Sequence, residues 1–165
     1  MTEARRLVLM RHATAESAGA GDSARALAPR GVREAGWMGT WLSGQGVRPD
    51  AALVSAARRA QQTWRGVAGS AGWQIVPQIS EALYSASAET ALDLIRDTDA
   101  TARTFLVVGH NPTLSMLVHQ LDDGTWGRGS YGFEPGTAAI LEVPGDWSEL
   151  AYAGCRVVAL HGPTG

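Results

Sequence analysis

Three groups of polar residues in this sequence each follow a short apolar segment, and their types suit chemistry on phosphate. The groups are Arg11-His12 after residues 7–10, residues 55–59 after Leu53-Val54, and His110 after residues 105–109. Arginine stays protonated at physiological pH and can hold two phosphoryl oxygens at once. A neutral imidazole can act as a nucleophile toward phosphorus. Arginines and histidines in this arrangement predict a phosphate site that carries its own nucleophile.

The elements that must position these side chains alternate between strands and helices. Continuous apolar runs predict buried strands, and apolar residues at helical spacing predict helices. The predicted strands cover residues 7–10, 51–55, 73–79, 105–109, 138–143 and 155–160. The predicted helices begin at Pro29, near Arg59, at Ala88 and at Asn111-Pro112. This alternation predicts an α/β fold, a single-domain three-layer α/β/α sandwich over residues 1–165, with a mostly parallel sheet and helices on both faces.

The fold class gives a reason for the polar groups to meet. In open α/β sheets, ligands bind outside the carboxyl ends of the strands. Arg11-His12, Ser55 and His110 all follow a predicted strand, so we expect them to line one pocket. The helix after Asn111 would direct its free backbone N–H groups toward the same place.

Composition and charge exclude several other classes of protein. The 165 residues are 45% hydrophobic and 18% charged, and the formal net charge of −2 argues against a nucleic-acid partner. No apolar run approaches the roughly 20 residues of a membrane span. The single Cys155 excludes an internal disulfide and a cysteine zinc cluster, and the absence of lysine excludes Schiff-base chemistry. We expect a soluble cytoplasmic protein without nucleic-acid or membrane partners.

Three sequence blocks, in order, resemble the histidine phosphatase superfamily, also called the phosphoglycerate-mutase-like clan. Leu9-Met10-Arg11-His12-Ala13 resembles its Arg-His-Gly signature. Residues 55–63 (SAARRAQQT) are similar to its second block, Ser-Pro-x-x-Arg-Ala-x-Gln-Thr, and residues 107–111 (VVGHN) to its third. Residues 25–31 (RALAPRG), followed by Glu34-Ala35, are similar to the compact branch of phosphohistidine phosphatases typified by SixA.

The resemblance implies a phosphatase that works through a phosphohistidine enzyme intermediate. His12 would be the nucleophile, and Arg11, Arg59 and His110 would hold the phosphoryl oxygens and offset the charge that develops in the transition state. Asn111 would be a further phosphate-binding residue or, alternatively, a helix cap. No metal and no cofactor are implied.

The register of the second block and the spacing beyond it select two more residues. Arg59 matches the family arginine, so Arg58 is expected to face solvent. Glu81, 22 residues after Arg59, matches the position of the family's general acid and is the candidate for protonating the leaving oxygen. The alternative for Glu81 is a solvated loop carboxylate. Ala13 and Ala56 stand where the family has Gly and Pro, which bears on the substrate range.

Three functions remain open at this stage. The first is dephosphorylation of protein phosphohistidine, the second is hydrolysis of a small phosphomonoester such as a sugar phosphate, and the third is a non-catalytic module that binds a phosphorylated ligand. The intact His12, Arg59 and His110 favour an enzyme. The expected partner is therefore a phosphorylated protein or a small phosphomonoester substrate, and the oligomeric state is left open.

Overall fold

Six strands form one sheet in the computed structural model, which describes residues 4–126 and 132–163. The strands are β1 (Arg5–Arg11), β2 (Ala51–Ser55), β3 (Gln78–Ser80), β4 (Thr104–Gly109), β5 (Ala138–Val143) and β6 (Arg156–His161). Their order is β3-β2-β4-β1-β5-β6. The first four strands pair in parallel, and β5 and β6 are antiparallel additions at one edge. The predicted mostly parallel sheet is confirmed.

Within the described residues, five α-helices connect or follow these strands. They are α1 (Pro29–Gly44), α2 (Arg58–Ala71), α3 (Glu81–Tyr84), α4 (Ala88–Arg96) and α5 (Thr113–Leu121). Pro29 starts α1, where its missing N–H costs no hydrogen bond. The side chain of Ser87 caps α4 by accepting a hydrogen bond from the Thr90 backbone N–H. Among the described residues, no helix is long and apolar enough to cross a membrane.

The two faces of the sheet are buried in two separate cores, which gives the three layers. Successive side chains of a strand point to opposite faces. Leu7 and Leu9 of β1 therefore belong to the core shared with α4 and α5, whereas Val8 and Met10 pack on the side of α1 and α2. Burial on both faces explains why β1 is a continuous apolar run.

The register of the central strands brings the predicted site residues to one edge of the sheet. Arg11 at the end of β1 is opposite Gly109 at the end of β4. In the same way, Val54 of β2 is opposite Val108 of β4. The residues that follow these positions, among them His12 and His110, therefore emerge side by side, as the parallel topology predicts.

Two predicted elements are shorter in the structure than in the sequence-based interpretation. The predicted strand over residues 73–79 begins too early, because only Gln78–Ser80 pairs with the sheet. Trp73 instead packs near Trp64, with its ring nitrogen donating to the Val47 carbonyl at 3.1 Å. Helix α5 begins at Thr113, two residues after the predicted cap.

Candidate active site

A cavity of about 570 Å³ opens at the carboxyl edge of the sheet. Its charged and polar lining comes from five different parts of the chain. The lining includes Arg11, His12, Asp22, Arg25, Arg59, Tyr84, His110 and Asn111. The structure thus brings together five of the six site residues predicted from the sequence, and adds Asp22, Arg25 and Tyr84.

His12 is held by the backbone so that one ring nitrogen faces the cavity. Its backbone N–H donates to the Gly109 carbonyl at 3.0 Å, and its carbonyl accepts from the Gly136 N–H at 2.9 Å. The ring Nδ1 lies 2.8 Å from the Ala13 carbonyl, which can only accept, so Nδ1 carries the hydrogen. In this tautomer Nε2 presents its lone pair, as a nucleophile requires.

Arg59 comes from the first turn of α2 and directs its guanidinium at the same nitrogen. Its Nε donates to His12 Nε2 at 3.4 Å, which agrees with an unprotonated Nε2. The hydroxyl of Thr63, one turn later, donates to the Arg59 carbonyl at 2.7 Å and accepts from the Ala13 N–H at 3.0 Å. Thr63 therefore ties the helix to the loop after His12, a role that its place in the second block did not reveal. Arg58 is exposed, as the register predicts.

His110 completes the pair of histidines. Its ring centroid lies 5.2 Å from that of His12, and its Nε2 hydrogen-bonds to the Ser55 hydroxyl at 2.7 Å. Ser55 is fully buried, so it fixes the ring of His110 from beneath and does not line the cavity.

Both histidines are held neutral by their surroundings. Burial lowers the pKa of His12 to about 4; the Ala13 carbonyl acts in the opposite sense, while the positive charges of Arg59, Arg11 and Arg25 lower it further. Burial, followed by the proximity of His12 and Arg59, lowers the pKa of His110 to about 3. A neutral imidazole beside fixed guanidinium groups is the protonation state that attack on phosphorus needs.

Arg11 and Asn111 are both anchored to the same backbone oxygen. Arg11 donates through one terminal nitrogen to the Phe133 carbonyl at 3.1 Å, and Asn111 Nδ2 donates to it at 3.0 Å. Asn111 Oδ1 accepts from the Ser115 N–H in the first turn of α5 at 3.2 Å, although the residue at the cap position of this helix is Pro112. The Arg11 Nε is buried and has no hydrogen-bond partner among the described residues.

Glu81 is the one predicted site residue that does not line this cavity. It is the first residue of α3 and is exposed. The carboxylate that does line the cavity belongs to Asp22, in a 3-10 helix (Asp22–Ala24) between β1 and α1. Sequence reasoning missed Asp22 because it lies in a loop of Gly, Ala and Ser without periodicity; its one signal is that it is the only charged residue between 17 and 24. The role of Glu81 as general acid stays a prediction.

The two departures from the family pattern have local explanations. Ala13 is fully buried and is not among the residues that line the cavity. The backbone N–H of Ala56 donates to the Ser80 carbonyl at 3.0 Å, a hydrogen bond that a proline there would lack. Neither substitution removes a side chain from the cavity.

The part of the chain that the structure describes contains no group of three or more His, Cys, Asp or Glu residues that could hold a metal ion. The positive charge of the cavity comes from Arg11, Arg25 and Arg59. Cys155 is buried away from it, and burial raises the pKa of its thiol to about 11.

Comparison with known proteins agrees with this geometry. The family model of the histidine phosphatase superfamily (branch 1) matches residues 7–86. The chain is 37% identical over 161 residues to an uncharacterized protein of Mycobacterium tuberculosis, covering 93% of this chain and 99% of that protein.

Solved structures extend the similarity over the whole fold. The putative phosphohistidine phosphatase SixA from Nakamurella multipartitia is 34% identical, with a TM-score of 0.87 and 99% of each chain covered. The putative phosphohistidine phosphatase SixA from Agrobacterium tumefaciens is 27% identical, with a TM-score of 0.80, and the match covers 98% of this chain and 100% of that one. With the matching family model and full-length relatives, the chain belongs to the histidine phosphatase superfamily, in its SixA-type branch.

Proposed function

We propose that this phosphatase removes the phosphoryl group from phosphohistidine in proteins, through a phosphoenzyme intermediate on His12. The observation that carries the proposal is the arrangement of His12 Nε2, which is unprotonated, faces the cavity and lies 3.4 Å from Arg59 Nε. A nucleophile beside a fixed guanidinium, with Arg11 and His110 on the same cavity, can hold and attack a phosphoryl group.

The first half of the reaction transfers the phosphoryl group to His12. The Nε2 lone pair attacks phosphorus, and the bond between phosphorus and the substrate nitrogen breaks in line with the attack. The electron pair of the broken bond stays on the substrate imidazole. Arg11, Arg59 and His110 hold the three equatorial oxygens, and the Nδ1–H bond to the Ala13 carbonyl supports the positive charge on the phosphorylated ring.

The second half returns the enzyme to its starting state. Water attacks the phosphorus of phospho-His12, the bond to Nε2 breaks, and His12 is again neutral. Both protons of the water leave with the product as dihydrogen phosphate, so no other group has to change its protonation state overall.

The two candidate carboxylates, Asp22 and Glu81, favour a substrate whose leaving group is already protonated. Hydrogen bonds from Tyr84 and Arg59 hold the pKa of Asp22 well below its usual range, so Asp22 has no proton to donate. Glu81 is exposed and outside the cavity lining. An alkoxide leaves poorly without a general acid, whereas a phosphohistidine protonated on its ring leaves as neutral imidazole. The putative SixA relatives are described as phosphohistidine phosphatases, which supports the same choice.

A small phosphomonoester is the second candidate substrate. The cavity volume of about 570 Å³ falls within the range of about 300–1,000 Å³ that is typical of small-molecule sites. Arg25 also lines the cavity and could meet a second anionic group.

Hydrolysis rates across two substrate types test the proposal. The panel contains phosphohistidine proteins, an aryl phosphate and several alkyl and sugar phosphates, with release of inorganic phosphate as the readout. We expect kcat/KM to be highest for a phosphohistidine protein and lowest for the alkyl phosphates. A sugar phosphate that outperforms every phosphohistidine protein would overturn the proposed substrate in favour of the second candidate. If no member of the panel is hydrolysed, the result would favour a non-catalytic module that binds a phosphorylated ligand.

A further inference from the structure

The loop between β1 and α1 folds back onto the cavity and delivers an acidic residue to it. The base of this loop is closed by a bridge between Ala15 and Leu27, and by a hydrogen bond from the Glu16 N–H to the Ala26 carbonyl at 2.8 Å. The residues between these closures are mostly exposed, yet Asp22 lies against Arg59 of α2. An exposed loop that reaches a buried side chain needs a specific interaction to hold it there.

Asp22 binds the guanidinium of Arg59 with two acceptors from a single residue. One terminal nitrogen of Arg59 donates to the Asp22 carbonyl at 2.8 Å, and the other donates to the carboxylate Oδ2 at 3.1 Å. The third nitrogen, Nε, is the one directed at His12 Nε2. Because the guanidinium is planar and rigid, fixing its two terminal nitrogens also fixes the direction of Nε.

The same carboxylate holds two further groups of the cavity. Its Oδ1 accepts from the Arg25 Nε at 3.0 Å and forms an ion pair with a terminal nitrogen of the same guanidinium, also at 3.0 Å. Its Oδ2 accepts from the Tyr84 hydroxyl. Tyr84 in turn lies beneath the Arg59 guanidinium, 5.9 Å from ring centroid to Cζ, and its ring is nearly perpendicular to that of His110, with 5.6 Å between the centroids. One carboxylate therefore joins the loop, α2 and α3 around the nucleophile.

We propose that Asp22 is a positioning residue, which holds the Arg59 guanidinium in the orientation that lets it grip a phosphoryl group beside His12. The inference rests on the proposed function, since it assigns Asp22 a part in the same reaction. Both carboxylate oxygens are occupied by donors, so Asp22 neither donates a proton nor touches the reacting atoms. It acts through Arg59.

The negative charge of Asp22 also affects anion binding, and this effect is opposite in sign to the effect of positioning Arg59. A binding measurement can therefore separate the two. On charge alone, an ionised carboxylate at the cavity repels an anionic ligand, and its removal should tighten anion binding. Positioning predicts weaker binding after removal, because Arg59 loses its fixed orientation. The change in anion affinity therefore distinguishes the two effects.

The test compares Asp22→Ala and Asp22→Asn in the full chain, with Asp93→Asn as the matched control. Asp93 is also an exposed aspartate paired with an arginine three residues away, but it lies on α4 outside the cavity. The measurements are kcat and KM for an aryl phosphate, and calorimetric affinities for orthovanadate and inorganic phosphate. Thermal unfolding of each variant verifies that the fold is kept.

We expect Asp22→Ala to lower kcat by about 10²-fold, the scale of a misplaced catalytic group, with a smaller effect on KM. Its affinity for orthovanadate, which resembles the transition state, should fall more than its affinity for phosphate. Asp22→Asn keeps a side-chain oxygen that can accept from Arg59, so it should restore part of the loss. Asp93→Asn should match the wild type.

Unchanged kcat, or tighter binding of orthovanadate by Asp22→Ala, would overturn the positioning role. An equal loss in Asp22→Asn and Asp22→Ala, accompanied by a lower unfolding temperature in both, would also contradict it by showing a purely structural role. Orthovanadate binding needs no turnover, so it tests the positioning role independently of the substrate panel. Failure of the proposed function would instead appear as an absence of phosphohistidine hydrolysis in the wild type itself.

Discussion

The neutral form of His12 should make the protein lose stability in mild acid, and the effect can be isolated by substitution. Burial lowers the pKa of His12 from 6.5 to about 4 in the folded protein. Above pH 6.5 the ring is neutral in both the folded and the unfolded state and adds no pH dependence. Between pH 6.5 and pH 4 the unfolded state binds a proton that the folded state refuses. The free energy of unfolding therefore falls as the pH is lowered through this window.

The size of this loss follows from the pKa values. Each pH unit between the two pKa values corresponds to about 1.4 kcal/mol. At pH 5 the His12 contribution is therefore a loss of about 2 kcal/mol, and at pH 4 of about 3 kcal/mol. His12→Asn removes the titrating ring, so its own stability should decline less between pH 7 and pH 5. His110 titrates in both proteins; because the proximity of His12 lowers its pKa, loss of His12 should reduce the acid destabilisation from His110 as well, which acts in the same direction.

Urea unfolding, followed by tryptophan fluorescence, measures this difference at pH 7 and pH 5. We expect the free energy of unfolding of the wild type, minus that of His12→Asn, to be lower by about 2 kcal/mol at pH 5 than at pH 7. His119→Asn, at an exposed position on α5, is the matched control for removal of an imidazole. The same difference at both pH values would refute the buried, neutral His12 on which the nucleophile assignment depends.

Three further predictions concern the reaction. His12→Asn should abolish turnover while thermal unfolding stays cooperative; loss of cooperativity would mark His12 as structural. Exhaustive chelation should leave kcat/KM unchanged, because Arg11, Arg59 and His110 hold the phosphoryl group; activity lost to a chelator and restored by magnesium or zinc would contradict the mechanism. Glu81→Gln should change hydrolysis of phosphohistidine and aryl phosphates by less than about threefold, because these leaving groups need no general acid, whereas loss of a general acid costs about 10²–10⁴-fold on alkyl phosphates. A selective loss of that size on alkyl phosphates would establish Glu81 as the acid.

The buried parallel strands and their polar ends were predictable because both depend on local sequence. Strands such as β4 are buried on both faces, so they consist of unbroken apolar residues. Parallel pairing of β2, β4 and β1 then brings the residues after these strands to the same edge of the sheet. For this reason, the sequence predicts that His12, Arg59 and His110 lie close together.

The parts of the site that escaped prediction depend on contacts between distant segments. Asp22 reaches Arg59 across 37 positions of sequence, and Tyr84 reaches Asp22 across 62. Nothing in the loop around Asp22 repeats with the period of a strand or a helix, so periodicity gives no signal there. Trp73 is a further case: aromatic residues favour strands, so local preference predicts a strand there. In the structure Trp73 packs beside Trp64 instead.

Trapping the phosphoenzyme tests the central claim most directly. The wild type is mixed with a phosphohistidine protein, quenched in alkali within milliseconds, digested and analysed by mass spectrometry. The account predicts one phosphoryl group on the peptide that contains His12, stable in alkali, labile in acid, and absent from His12→Asn. A phosphoryl group on another residue, or none at all during active turnover, would contradict the proposed nucleophile.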